Sequence, residues 1–318
     1  MNIEDIKEGL VQGKKRAASR LITMFENGDS RALDVMKELY SCTGKAKVIG
    51  ITGPPGAGKS TVTDQVAKLI RKQNKKVGII AIDPTSPFSH GAILGDRVRM
   101  CDLNTDQGVF IRSMGTRGAL GGLSGAAYGA INILDIFGMD YIFIETVGVG
   151  QSEVDIVKVA DIVVMVMVPG LGDDIQTMKA GIMEIGDIFA VNKSDREGAS
   201  RTAAEIKTML SFSTKKELES PVLNITAKDN EGIDKLFSAI DERYNKMTSS
   251  GLLNKKRKDK LQDEIVSILK NKLIKSALDL GHETMTVETI VSDVFNKKLD
   301  PYTASTILFK NLKIGDGL

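Results

Sequence analysis

The chain has 318 residues, 42% hydrophobic and 26% charged, with a formal net charge of +2 and two cysteines. That length holds one large α/β domain, or a core domain with flanking helices, and the composition is that of a globular protein. The near-neutral charge gives no global pull toward nucleic acid or an acidic membrane, and Cys42 and Cys101 argue against a disulfide framework and for a reducing compartment. Met1-Asn2-Ile3-Glu4-Asp5 lacks the apolar core of a signal peptide, and the longest apolar runs fall well short of a membrane span. The expectation is a cytoplasmic protein with neither nucleic acid nor membrane as partner.

The first segment reads as helical. Ala18, Leu21, Ile22 and Phe25 share one face, and Asn27-Gly28-Asp29-Ser30 makes a turn in which Asp29 or Ser30 caps the next helix. On that helix Leu33, Met36, Leu39 and Tyr40 form the expected apolar side. Such a helical start is no part of a minimal nucleotide domain, so it is set apart as residues 1–45.

From Lys47 the pattern turns to strand, loop and helix. Val48 to Ile51 reads as a short buried strand and Thr61 to Arg71 as an amphipathic helix, with Gly53-Pro54-Pro55-Gly56-Ala57-Gly58-Lys59-Ser60 between them. This is GxxxxGK[ST] in its proper setting. Glycines let backbone N–H groups converge on phosphate oxygens, and the unpaired N–H groups of the helix's first turn, Thr61 included, add positive partial charge. Lys59 then reaches the β- and γ-phosphates, and the Ser60 hydroxyl enters a Mg²⁺ shell. The competing reading is a glycine-rich connector of an ordinary α/β domain.

Further apolar runs of strand length follow at Val77 to Ile82, Val109 to Ile111, Tyr141 to Ile144, Ile162 to Val168, Ile188 to Val191 and Val222 to Ile225. Near-continuous apolar strands separated by helical segments predict an α/β, doubly wound, mostly parallel sheet, here a domain over residues 46–248. Ligands of such sheets sit at the carboxyl ends of the strands. Asp83 and Glu145 close two of those runs and are candidate Mg²⁺ carboxylates, although a helix cap or loop charge is the plainer reading of either alone. Asn192-Lys193-Ser194-Asp195 matches NKxD directly after a strand. There the Asp195 carboxylate, taken as buried, accepts from guanine's ring N–H and amino group, a pairing that discriminates against other bases by roughly 10⁴-fold. Thr226-Ala227-Lys228, after the next strand, stands where a backbone N–H meets the guanine carbonyl. The nucleotide predicted is GTP, exchanged for GDP.

These stretches, with Asp83-Pro84-Thr85-Ser86, Gly91 to Asp96, Glu145 to Glu153 and Leu299 to Ala304, resemble the MeaB/ArgK GTPases over nearly the whole chain. The resemblance implies a homodimeric G-protein chaperone of an adenosylcobalamin-dependent acyl-CoA mutase, of methylmalonyl-CoA mutase type, that gates cofactor loading and protects or reactivates the mutase. It implies a Mg²⁺ environment of Ser60, Asp83, Asp96 and Glu145, and, with the phosphate-loop chemistry, a hydrolytic set of Lys59, Glu145 and Asp96. It also implies nucleotide-sensing switches at residues 83–100 and 145–148, and a third loop, Pro169 to Gly181, facing the mutase. The alternative function is a P-loop small-molecule kinase or a transport-associated ATPase or GTPase. A nickel metallochaperone is disfavoured because His90, His282 and the two cysteines form no ligand cluster.

Val149 stands where a water-orienting Gln directly follows DxxG in small G proteins, and Gln151 comes two residues late. Basal hydrolysis is therefore expected well below about one turnover per second, with a partner completing the site. Arg112, Arg117 and Lys179 are candidate charge donors, each also readable as a solvated cation. Gly115 to Ala130 reads as a helix start packed closely on the sheet rather than a flexible loop. Lys255-Lys256-Arg257-Lys258 is expected to be a solvated helix entrance. Behind it Leu261, Ile265, Ile268, Leu269, Leu273 and Leu278 form an apolar stripe that reads as core or as the dimer surface of a C-terminal helical region, 249–318.

Overall fold

The computed structural model describes residues 2–83, 101–115, 122–146, 152–170, 185–212, 218–279 and 286–310. Seven strands form one all-parallel sheet: β1 (Lys47–Thr52), β2 (Val77–Asp83), β3 (Val109–Gly115), β4 (Tyr141–Thr146), β5 (Ile162–Met167), β6 (Ile188–Val191) and β7 (Val222–Asn224), in the order β3-β2-β4-β1-β5-β6-β7. Strands β4, β5 and β6 are buried along their full length, as runs covered on both faces require. The doubly wound α/β fold expected from the strand pattern is the one observed. The third run is longer than its apolar residues suggested, because Arg112 and Ser113 continue the ladder against Ile80 and Ala81.

Helix α4 (Lys59–Lys72) lies on one face of the sheet with Val62, Val66, Ala67 and Ile70 inward, packed with Ile49, Ile51, Ile79 and Phe143. The other face carries the N-terminal helices α1 (Ile3–Val11), α2 (Lys15–Glu26) and α3 (Ser30–Leu39), together with α6 (Gly122–Ile136). A four-residue helix, α5 (Cys101–Asn104), precedes β3. Asn2 and Asp5 cap α1 reciprocally, and Asp29 caps α3 by accepting from the Arg31 amide. In α3 the buried residues are Ala32, Val35 and Met36, while Leu33 and Tyr40 are exposed. The expected apolar side of that helix is therefore wrong by part of a turn: small Ala32 fits against its neighbours where Leu33 does not.

The N-terminal helices share a core with Ile80, Ile82, Ile142 and Ile144 of the sheet. A Cβ on Gly129 of α6 would lie 2.1 Å from the Phe25 ring, so close packing holds at that position, whereas one on Gly125 would meet nothing within 4 Å and residues 116–121 lie outside the described residues. Arg112 of β3 is ion-paired with Glu26 of α2 and donates to Thr23 Oγ1 at 3.1 Å. It braces the N-terminal helices rather than standing as a free charge donor.

The remaining helices are α7 (Ser152–Val159), α8 (Ala199–Ser211), α9 (Ile233–Ser249), α10 (Leu252–Asp279), α11 (Val287–Phe295) and α12 (Pro301–Lys310). The basic run at the start of α10 is only in part the solvated entrance expected of it: Lys255 and Lys258 are exposed, while Lys256 and Arg257 are half-buried. Asp161, 1% exposed and immediately before β5, accepts from Arg257 Nη2 and Lys260 Nζ at 2.7 Å each and from the Val48 amide at 3.2 Å. Lys256 reaches the Asp161 carbonyl at 2.8 Å, and Arg257 also donates to the carbonyls of Gly44 and Ala46. Asp187, before β6, accepts from Arg243 Nη2 at 2.8 Å, and Asp135 gathers the amides of Gly44, Lys45 and Ala46. Burial alone would raise the Asp161 carboxyl, but the adjacent Lys260 and Arg257 charges outweigh it and hold it below the usual carboxylate range.

The chain divides into two compact units, residues 1–118 with 122–260, and 119–121 with 261–318. In the second, Leu261, Ile265, Ile268, Leu269, Leu273 and Leu278 are all exposed, so they are not core of the single chain. No helix among the described residues is long and apolar enough to cross a membrane.

Candidate nucleotide site

The site is built at the carboxyl ends of β1, β4 and β6. Strand β1 ends at Thr52 and the loop turns at Gly53, whose φ is 140° and whose Cβ, if present, would lie 2.1 Å from the Val166 carbonyl of β5. No L side chain fits there. Gly58, at φ 88°, opens α4, and a Cβ on it would lie 2.4 Å from Asn192 Nδ2. Pro54 and Ala57 are buried, while Pro55, Gly56 and Thr61 are exposed. Lys59, 6% exposed, folds back over the loop and donates to the Gly53 carbonyl at 2.9 Å and the Pro54 carbonyl at 3.0 Å. A cation held at the mouth of a helix N-terminus, among backbone amides, is the electrostatic arrangement that receives phosphate.

Ser60 Oγ donates to Glu145 Oε1 at 2.5 Å. Glu145 is 4% exposed and is the penultimate residue of β4, paired with Ile51 on one side and Ala81 on the other. The pair offers only oxygen donors, the kind a hard divalent cation selects, and a Mg²⁺ bound partly by phosphates needs no more than one or two protein carboxylates. Asp83 is the last residue of β2, next to β4, but its side chain lies outside the described residues. Asp96, Arg117, Gln151 and Lys179, with the segments 84–100, 147–151 and 171–184, also lie outside them.

The NKxD segment leaves β6 and turns back toward the phosphate loop. Asn192, 3% exposed, donates from Nδ2 to the Ala57 carbonyl at 2.8 Å and accepts on Oδ1 from the Ala227 amide at 3.0 Å. One side chain thus ties the loop after β1 to the loop after β7. Lys193, at φ 58°, reaches the Gly56 carbonyl at 2.7 Å, and Ser194 Oγ lies 3.1 Å from Thr226 Oγ1. Asp195 is exposed, which corrects the expectation of a buried carboxylate at that position: in the chain alone it stands in a solvated turn. Thr226 and Ala227 are buried and Lys228 is exposed.

A model of the family described as methylmalonyl-CoA mutase-associated GTPase MeaB matches residues 18–281. The chain belongs to the MeaB family. Its relatives include a Pyrococcus abyssi protein carrying a provisional GTPase name, 48% identical over 99% of this chain and 98% of the relative. The Escherichia coli GTPase ArgK is 31% identical over 94% of this chain and 88% of its own length. The mouse mitochondrial methylmalonic aciduria type A homolog is 30% identical over 98% and 80%. A crystal structure titled LAO/AO transport system kinase superposes with a TM-score of 0.71 over 98% of both chains at 23% identity, a likeness of fold. Membership in the MeaB family makes the loop-and-NKxD geometry that of a guanine-nucleotide-binding P-loop GTPase.

One residue of this centre, Thr52, escaped the sequence reading, and Thr146 entered it only as part of the 145–148 switch. Thr52 and Thr146, the last residues of β1 and β4, are both 0% exposed, and their hydroxyls meet at 2.9 Å. The available signal was a threonine closing each of two apolar strands that run into functional loops.

Proposed function

We propose that this protein binds GTP with Mg²⁺ and hydrolyses it slowly by itself, acting as a homodimeric G-protein chaperone of an adenosylcobalamin-dependent acyl-CoA mutase. The observation that carries the nucleotide reading is Asn192, which joins the phosphate loop to the base-side loop through Ala57 and Ala227. In this reading Lys59 leaves the Gly53 and Pro54 carbonyls and takes phosphate oxygens, keeping its charge beside the group being transferred. The backbone N–H groups of Gly53 and of Gly56 to Thr61 orient the phosphates, and Asp195 accepts from the guanine ring N–H and amino group. Ser60 and Glu145, with Asp83 and Asp96, would hold Mg²⁺, which neutralises charge developing on the phosphates when bound. The NKxD turn favours this reading over a small-molecule kinase.

The mutase as partner rests on the family description and on the mouse relative's name. In this reading the chaperone gates cobalamin loading and protects or reactivates the enzyme, with 83–100 and 145–148 as switches and 169–181 facing the mutase. The exposed stripe from Leu261 to Leu278, within a C-terminal region starting near 249, supplies the dimer surface. The deciding experiment is GTP turnover with and without a purified cobalamin-dependent mutase. Coupling of about 1–3 kcal/mol corresponds to roughly 5- to 150-fold stimulation. An unchanged rate in a mixture shown to form a complex would overturn stimulation by the mutase, and a mixture that forms no complex would overturn the partner assignment.

A further inference from the structure

Glu145 is gripped from the nucleotide side by Ser60, but it is one residue from a second contact on the opposite face of the sheet. Successive strand residues point to opposite faces, so Thr146 projects away from α4 when Glu145 projects toward it. In the register of β1 and β4, Glu145 stands beside Ile51, which places Thr52 beside Thr146. Their hydroxyls meet at 2.9 Å with both residues fully buried. Thr52 is followed at once by Gly53, itself pressed against the Val166 carbonyl, and Thr146 is preceded by Glu145.

We propose that Thr52 and Thr146 are paired positioning residues: their hydrogen bond sets the depth of Glu145 relative to Ser60, and through it the affinity of the site for Mg²⁺. This rests on the nucleotide reading above. Inside a packed sheet a hydroxyl–hydroxyl bond is directional where a methyl contact is not, so the pair defines one relative position of the two strand ends. Ser60 moves with the phosphate loop that β1 leads into, and Glu145 moves with β4. A slip of the β4 end past β1 would part Glu145 from Ser60 while leaving Lys59 and Asn192, both tied to the phosphate loop, and the base-side loop in place. The pair therefore acts on the cation more than on the nucleotide.

The test uses the full chain and four variants: Thr146→Val and Thr52→Val, which keep the shape and remove one hydroxyl, the double variant, and Thr146→Ser, which restores the hydroxyl. The readouts are GDP affinity in EDTA, the Mg²⁺ concentration for half-maximal GTP turnover, and Tm. Thr146→Val and Thr52→Val should each raise the half-maximal Mg²⁺ about 3- to 10-fold, the range of one net hydrogen bond, with GDP affinity in EDTA within about twofold of wild type. The double variant should be no worse than the worse single, because the hydroxyls act as one unit, and Thr146→Ser should return toward wild type. Thr52→Val carries the same expectation if Thr146→Val fails to fold. A lowered Tm with an unshifted Mg²⁺ requirement, or additive shifts in the double variant, would overturn the proposal. A wild-type chain that bound no guanine nucleotide would instead overturn the nucleotide reading itself.

Discussion

The two ends of the sheet are both rich in buried polar groups, and they use them in opposite ways. At the amino ends of β5 and β6, Asp161 and Asp187 are saturated by Lys256, Arg257, Lys260 and Arg243, charge against charge, with amides filling the remaining positions. At the carboxyl ends, Lys59, Lys193 and Asn192 are bonded to backbone carbonyls of the phosphate loop. A neutral carbonyl is a weaker partner for a cation than a carboxylate or a phosphate. The rear end is thus closed electrostatically, while the bonds of Lys59 and Lys193 to loop carbonyls at the front end are ones that an anionic ligand can replace. Stability is concentrated where no exchange is possible, and binding where it is.

The sharpest way to break this comparison is at Asp161. Asp161→Ala strands Arg257 and Lys260 without their shared carboxylate, and removing one partner of a buried pair costs about 3–5 kcal/mol. Urea unfolding should show that loss, with guanine-nucleotide affinity preserved at temperatures where the variant is folded. Because the Asp161 carboxyl is held below its ordinary value, its contribution is present above about pH 4 and is lost as the pH falls through the lower folded value. Asp161→Ala should therefore flatten the acid side of the stability–pH curve. A variant as stable as wild type would mean the rear network is not the scaffold.

The converse change is Lys59→Ala. Turnover at saturating GTP should fall about 10²- to 10³-fold, the usual loss for one preorganised charge donor, with a far smaller change in Tm than Asp161→Ala. Full activity would remove the loop from the chemistry. Asp195→Asn sharpens the front end further. GTP affinity should weaken about a hundredfold while xanthosine triphosphate binding improves, since its base offers a carbonyl where guanine offers an amino group. Asp195 is exposed, so stability should stay within about 0.5 kcal/mol. Smallest is Arg112→Met, which releases Glu26 and should cost about 1 kcal/mol in thermal unfolding with no change in basal turnover. A drop in turnover would return Arg112 to the hydrolytic centre.

The front end was readable from sequence because its information is local. Gly53 to Ser60 carries its turn, its cation and its helix start within eight residues, and the strands announce themselves as unbroken apolar runs. The rear end was not readable, since Asp161 and Arg257 are 96 positions apart and a four-residue basic run looks the same whether it meets water or a buried carboxylate. The apolar side of α3 was misjudged for a similar reason. Alanine gives almost no hydrophobic signal, yet Ala32 is the residue that docking buries. The exposure of Asp195 belongs to the turn it occupies, and no spacing rule records that.

The shared core of the N-terminal helices and α6 also has a consequence for the order in which the protein is made. Helix α2 emerges from the ribosome at residue 26, but the surface it covers, including Gly129, is not synthesised until roughly 100 residues later. At about 5–20 residues per second its apolar side, with Leu21 and Ile22, waits roughly 5–20 seconds for its partner. During that interval α1, α2 and α3 have one another and the strands made before α6, Ile80 and Ile82 of β2 among them, to pack against, with Asn2 and Asp5 capping α1 and Asp29 capping α3. A slowdown of synthesis before α6 would lengthen the time for which the apolar face that Gly129 closes stays uncovered.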